Sequence, residues 1–363
     1  MLKSATDFFW HASWWIGTAT ALLTVLMLVA IFVLKQVHQA RQRRERDFQA
    51  CWQPLLMQVA LGDGPAPTLP PLPAGDAWRF IQLWVRFQAS LRGQSNERLR
   101  LMGHRCGALP VAMRLMNSPH RSQQVFGLLA LGYLREASAL DKLLPLLHQP
   151  SNTVAVYTSW ALLSIAPERA APLVLEQLLA RTDLDLMQVA SVLKPFRAAL
   201  HPGLAERLQQ ASERCGQALE GDTRQVVWWL KMSHAMALTM GAAALLPLIE
   251  NGAHIDIQIG AMQLLKTPDG LPAVRRLASH SAWPVRNQAA VALGRLGQPG
   301  DEGLLLQLLM DPQWWVRYRA AQALANLPFL PRAQLAAQVA ALPDRYARDM
   351  AQQVFAERPE TSC

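Results

Sequence analysis

DPQWWVRYRAAQALANL, residues 311–327, repeats a phrase the chain has already used: residues 280–296 read HSAWPVRNQAAVALGRL, and eight of the seventeen aligned positions are identical. The apolar end of the phrase recurs more widely. ALGYL (130–134) and ALLSI (161–165) form one run, and AMQLL (261–265), ALGRL (292–296) and ALANL (323–327) form another, each in steps of 31 residues. Ser118-Pro119 and Gln149-Pro150 precede the first two at a common offset. A fixed period of this size marks a stacked repeat, a solenoid.

Each period holds a helix-breaking start and a helix with Ala and Leu at three-and-four spacing. A short Gly, Pro or polar turn and a second apolar helix follow, such as GLLLQLLM at 303–310. The unit is a helical hairpin. Alone it cannot hide its apolar stripe, but stacked hairpins cover one another, and small residues let neighbouring helices approach closely. Ala289, Ala290, Ala320 and Ala321 are therefore expected at the packing surface.

These repeats resemble HEAT repeats, in particular the short bacterial type also found in phycobilisome lyases. Asp311, Val316, Arg317, Ala320, Ala321, Ala323, Leu324 and Leu327 carry the pattern best. The resemblance implies an all-α fold, a right-handed α-solenoid of HEAT-like hairpins over residues 77–358, with atypical first and last pairs and a tail at 359–363. It is strong over 270–330, clear over 115–180 and weak over 195–255, where the register slips. It also implies a polar ladder of Asp and Arg, with a structural role for Asp311 and Arg317. Arg286 fits that pattern, but His280 stands where the preceding Asp would be, so a broken ladder is expected.

WWIGTATALLTVLMLVAIFVL, residues 14–34, runs 21 residues without a charge. A helix of that length spans the roughly 30 Å hydrocarbon core of a bilayer. Lys35, Arg41, Arg43, Arg44 and Arg46 follow it. By the positive-inside rule they place the 1–13 segment outside and the rest in the cytoplasm, a single-pass topology at a bacterial inner membrane. The same cluster suits anionic lipid headgroups. Gly17 and Ala21 lie in a small-residue patch suited to packing against other membrane helices. Residues 35–61 are expected as a basic juxtamembrane helix, a stalk kinked or interrupted by Pro54. GDGPAPTLPPLPAGD, residues 62–76, with five prolines and three glycines, is expected as a semi-rigid linker.

With 363 residues, 51% of them hydrophobic, the chain has the means to bury a large core. Its net charge of +9 would suit anionic lipid, an acidic protein or nucleic acid. Nucleic acid ranks behind the others, because Glu206, Glu213, Glu220 and Asp222 break up the basic character of the repeats.

The residues supply no phosphate loop, metalloprotease motif, nucleophile elbow or clustered carboxylates, so no catalytic residue, metal or cofactor is assigned. Asp183 and Asp185 form a DxD read as helix capping, and His104 with Cys106 makes too small a set for a metal. The four cysteines, Cys51, Cys106, Cys215 and Cys363, form no CxxC pair.

Tryptophan and arginine are typical anchors of protein contacts. Trp283, Arg286, Trp314, Trp315, Arg317 and Arg319 are the candidate partner-binding set, with packing between repeats as the structural alternative. The function expected is a membrane-anchored scaffold or accessory subunit that docks a protein partner. Resemblance to membrane-anchored HEAT proteins suggests an integral membrane glycosyltransferase of exopolysaccharide synthesis as that partner. A lyase-like enzyme and a nucleic-acid or anionic-lipid binder are the alternatives.

Overall fold

The computed structural model describes residues 2–62, 68–181, 183–214, 220–252 and 254–357, with the side chains of 2–14, 16, 17, 19, 21, 41, 179 and 220–222 outside that description. All regular structure among the described residues is helical, and the chain divides into two compact units, residues 1–136 and 137–363.

The first unit comprises α1 (Leu2–Leu61), α2 (Ala77–Ser90), α3 (Gln94–Arg105), α4 (Ala108–Met116) and α5 (Arg121–Leu134). With 60 residues α1 is about 90 Å long. Leu22 to Leu34 leave their large apolar side chains exposed, and the helix is long and apolar enough to cross a membrane. Further along it a different pattern takes over. Phe48, Trp52, Leu56 and Ala60 recur every fourth residue and are 8%, 3%, 0% and 2% exposed. This stripe packs against α2 and α3, so the stretch expected as a free stalk is part of a folded core.

Pro54 does not interrupt α1. Proline removes one helical hydrogen bond and crowds the carbonyl four residues back. Trp52 and Leu56 on either side are buried, and their packing carries the helix on to Leu61.

The neighbour α2 runs parallel to α1. At one end Trp52 meets Phe80 at 4.9 Å and Arg79 pairs with Glu45 at 3.2 Å. At the other, Arg98 in the first turns of α3 donates to the Leu61 carbonyl at 2.8 Å. The proline-rich segment is therefore a return strap along this part of α1, non-helical over residues 68–73. Helix α5 is in turn parallel to α2: Trp78 meets Phe126 at 5.3 Å and Trp84 meets Tyr133 at 6.3 Å. Trp84 is fully buried and donates its indole N–H to the Leu99 carbonyl at 2.8 Å.

The second unit opens with α6 (Leu140–Leu143), which tightens into a 3-10 turn, then α7 (Asn152–Ile165), α8 (Pro167–Leu179), α9 (Leu186–Leu193), α10 (Arg197–Glu213) and α11 (Glu220–Ala235). It continues through α12 (Ala242–Asn251), α13 (Ile255–Leu264), α14 (Leu271–Leu277), α15 (Trp283–Leu296), α16 (Glu302–Leu309), α17 (Trp314–Asn326), α18 (Arg332–Ala340) and α19 (Arg345–Glu357). The odd-numbered helices α7 to α19 pack in series as one layer, and α8, α10, α12 and α14 form a second. Successive pairs such as α14 with α15 and α16 with α17 are the hairpins that the periodicity predicts.

The register slip has a geometric cause. Helices α7, α9, α11 and α13 begin at residues 152, 186, 220 and 255, in steps of 34 or 35, whereas α15, α17 and α19 follow one another in steps of 31. The helices there are also longer, 17 residues in α10 and 16 in α11.

Ala289, Ala290 and Ala320 are 0% exposed and Ala321 1%, as packing residues should be. Between them α15 and α17 nearly touch. A Cβ placed on Gly294 would lie 2.6 Å from Ala323 Cβ and 2.7 Å from Ala323 Cα. Backbone cannot yield as a flexible side chain can, so enlarging this residue drives the two repeats apart. Gly294→Val should destabilise the folded protein by about 1–3 kcal/mol, whereas Gly303→Val, at a glycine with open space around it, should cost less. Urea unfolding of the two variants checks this, and equal midpoints would contradict the close-approach account.

Candidate functional site

Trp283, Trp314 and Arg345 are the first residues of α15, α17 and α19, spaced 31 residues apart. Three residues into each helix stands an arginine with a shared task. Arg286 donates to the His280 carbonyl at 2.8 Å, Arg317 to the Asp311 carbonyl at 3.0 Å, and Arg348 to the Leu342 carbonyl. Each acceptor lies just past the C-terminus of the preceding helix, where unpaired carbonyls and the negative end of the helix dipole favour a cation. The arginine thereby clamps the turn of its own hairpin.

Arg286 does more. Its Nε donates to Asp311 Oδ2 at 2.6 Å and its Nη2 to Asp311 Oδ1 at 2.9 Å, with a further bond to the Ser281 carbonyl at 2.9 Å. The Asp311 carboxylate holds the Arg286 guanidinium above its ordinary pKa, against the opposing effect of burial. Asp311 also accepts from the Gln313 backbone N–H at 2.8 Å. The polar ladder thus has a rung from Arg286 of one repeat to Asp311 of the next. It is not formed by Asp311 with the side chain of Arg317, which reaches the Asp311 carbonyl and lies over the Tyr346 ring at 5.8 Å. With Leu342 in the third equivalent position, Arg317 has no carboxylate there to meet.

The aromatic residues are arranged differently. Trp283, Trp314 and Trp315 are 39%, 41% and 54% exposed. Trp314 stacks on Tyr318, with centroids 5.2 Å apart and planes 9° from parallel, and Trp315 meets Trp314 edge-on at 4.7 Å. Tyr318 donates to Glu357 at 3.0 Å. Both members of this doublet are exposed, where spacing on a helix requires only that they diverge. Arg319 is exposed and donates to Gln322 at 2.9 Å.

Of the predicted set, then, Trp314 and Trp315 form one cluster and Trp283 holds the equivalent position one repeat earlier. Arg286 and Arg317 are engaged in holding the turns. Tyr346, 69% exposed, escaped the sequence reading although it stands 31 residues after Trp315. One more period would have found it.

Lys35, Arg43, Arg44 and Arg46 are exposed on α1; the side chains of Arg41, Gly17 and Ala21 lie outside the described residues. Asp185 caps α9 by accepting from the Met187 backbone N–H at 3.0 Å, and Asp183 pairs with Arg181 at 2.9 Å. His104 lies 3.1 Å from the Leu134 carbonyl, and burial pushes the Cys106 thiol up to about 11, away from reactivity. Among the described residues no three His, Cys, Asp or Glu side chains gather as a metal site would require.

Residues 242–325, from the start of α12 to the last turn of α17, match the HEAT repeat family. These are HEAT repeats. No curated protein matches the chain. HEAT repeats generally mediate protein–protein interaction, and within the matched span the exposed tryptophans are the residues suited to it.

One buried carboxylate ties the HEAT repeats to pH. Asp301, 3% exposed, accepts from Arg275 Nε at 2.6 Å and Nη2 at 3.1 Å and from the Gln298 backbone N–H at 2.8 Å. Burial alone would raise its pKa, but the bonds from Arg275 and Gln298 prevail and hold it below the usual value. A carboxylate lowered in the folded state gives stability that is complete above its unfolded pKa and is lost as pH falls through the folded one. Asp301→Asn should cost about 1–3 kcal/mol at neutral pH. It should also flatten the loss of stability below about pH 4. Urea midpoints at neutral and acid pH test this: a variant with the wild-type pH slope contradicts it.

Proposed function

We propose that the protein is a membrane-anchored scaffold that docks a protein partner through the aromatic face at the N-terminal ends of α15 and α17. The observation that carries this is the repetition of exposed indoles inside a matched HEAT segment: Trp283 and Trp314 at one repeat position, with Trp315 beside the second. A side chain whose role is only to fill the stack would be buried. Arg319 and Tyr346 extend the face with a cation and a phenol, while the clamped Arg286 and Arg317 hold it in shape. Rigid aromatics lose little conformational freedom on binding, which makes them effective anchors.

The anchor is α1, with its N-terminus outside and the repeats in the cytoplasm of a bacterium, a topology supported by the uncharged run at 14–34 and the basic residues after it. Anchoring raises the effective concentration of a partner held at the same bilayer. The resemblance of the layout to accessory proteins of exopolysaccharide synthesis makes an integral membrane glycosyltransferase the partner class to seek first.

Purification of the full-length protein from its native membrane in mild detergent should recover a companion in fixed ratio. Trp314→Ala with Trp315→Ala should weaken that recovery at least tenfold, since anchors of this kind contribute about 2 kcal/mol each. Arg319→Ala should weaken it less. Recovery of the protein alone, or retention of the companion by the double variant with its helical content intact, would overturn the docking face. If the companion is also held in the bilayer, Gly17→Leu with Ala21→Leu should loosen it independently of the tryptophans.

A further inference from the structure

The first unit brings more basic charge to the level of the membrane-proximal end of α1 than the α1 flank alone. Trp52 of α1 lies level with Phe80 of α2, and Trp78 of α2 lies level with Phe126 of α5. With a rise of about 1.5 Å per residue in three parallel helices, Arg121 at the start of α5 stands at about the level of residue 45 of α1. That is the level of Arg43, Arg44 and Arg46. These arginines and Arg121 are all exposed. Because α2 lies between α1 and α5, the two groups of charge are separated by about two helix spacings, or about 20 Å. They outline a face and not a single stripe.

The acidic residues at this end are mostly neutralised. Glu45 and Asp76 both pair with Arg79, which leaves Asp47 as the remaining described carboxylate of that end. Glu97 and Glu136 are placed toward the opposite end, beside the start of α3 and after the C-terminus of α5. The exposed apolar run of α1 ends at Leu34, about 16 Å along the helix from residue 45. The headgroup layer fills about 5–8 Å of that distance. The remainder is close to one Debye length, about 8 Å at physiological salt, and a long arginine side chain shortens it further.

We infer that this end of the first unit is a lipid-facing surface, in which Arg121 and the turn before α5 join Arg43, Arg44 and Arg46 against anionic headgroups. The inference rests on the reading of α1 as a membrane anchor. The partner is the bilayer surface itself, recognised by charge without a specific headgroup pocket. The surface fixes how the unit sits on the membrane, since contact at two places separated across the unit resists rocking about α1.

The test is hydrogen–deuterium exchange on the full-length chain in nanodiscs of zwitterionic phospholipid, alone and with phosphatidylglycerol added. Exchange over residues 117–124 should slow about fivefold in the anionic discs, the factor one basic side chain contributes near such a surface. High salt should abolish the difference. Arg121→Glu should abolish it too, while residues 48–60 keep their protection and so report an intact fold. Equal exchange in both discs, from protein that resists alkaline extraction, would overturn the surface and leave the anchor standing. So would a lipid-dependent difference that survives Arg121→Glu. Release of the chain by alkali would overturn the anchor, and the surface with it.

Discussion

The second unit depends on how closely α15 and α17 approach. Gly294 has no Cβ because Ala323 occupies the place where one would be, and the flanking alanines are buried on both helices. An interface made of such small side chains excludes bulky ones from its middle. Leucines fill the space between the layers, and the largest residues are left to the helix ends, where neighbouring backbones no longer confine them. Trp283 and Trp314 stand at the first position of their helices. The residues that allow stacking and the residues free to bind are thus sorted by a single steric limit.

The arginine clamps follow from the same geometry. A short hairpin ends its first helix with carbonyls that cannot be paired within that helix, and the next helix starts only a few residues later. An arginine in the first turn of the second helix can reach back across the turn, and at Arg286, Arg317 and Arg348 it does. This sets the direction in which the indole three residues earlier leaves the helix. An arginine with this duty is a poor contributor of binding energy, since a partner would have to compete with bonds already made. Scaffold and candidate site are therefore adjacent in sequence but chemically separate: the guanidinium holds, and the indole is presented.

The repeat was legible where nothing had been inserted. Between residues 261 and 327 one unvarying step places similar side chains in similar environments, and the helices there begin where the phrase predicts. Between 195 and 255 the helices lengthen by about a turn, so equivalent contacts fall at unequal separations and no fixed period survives. The rung from Arg286 to Asp311 was hidden for another reason: it joins two repeats, whereas pairing by motif keeps Asp311 and Arg317 within one. The hydrophobic stripe of Phe48, Trp52, Leu56 and Ala60 has clear four-residue spacing. The basic run just before it and the proline inside it suggested a stalk instead. Local propensity was outweighed there by burial, which the sequence expresses only through partners more than twenty residues away.

That stripe changes what the anchor means mechanically. A proline-rich segment placed after a membrane helix is naturally taken for a tether that lets a domain swing. Here the helix carries on into the core before the proline segment begins, and α2 runs parallel to it. Parallel helices require the chain to return by the length of their overlap, about 24 Å from Leu61 back to the level of Glu45. An extended proline-rich strand covers that in about eight residues, and the segment from 62 to 76 has fifteen. The prolines thus serve a connection inside the first unit, and the link between its core and the apolar run is a continuous helix. Any motion of the apolar part of α1 is transmitted to Trp52 and Leu56 through hydrogen-bonded backbone, with no flexible joint at which it could be absorbed.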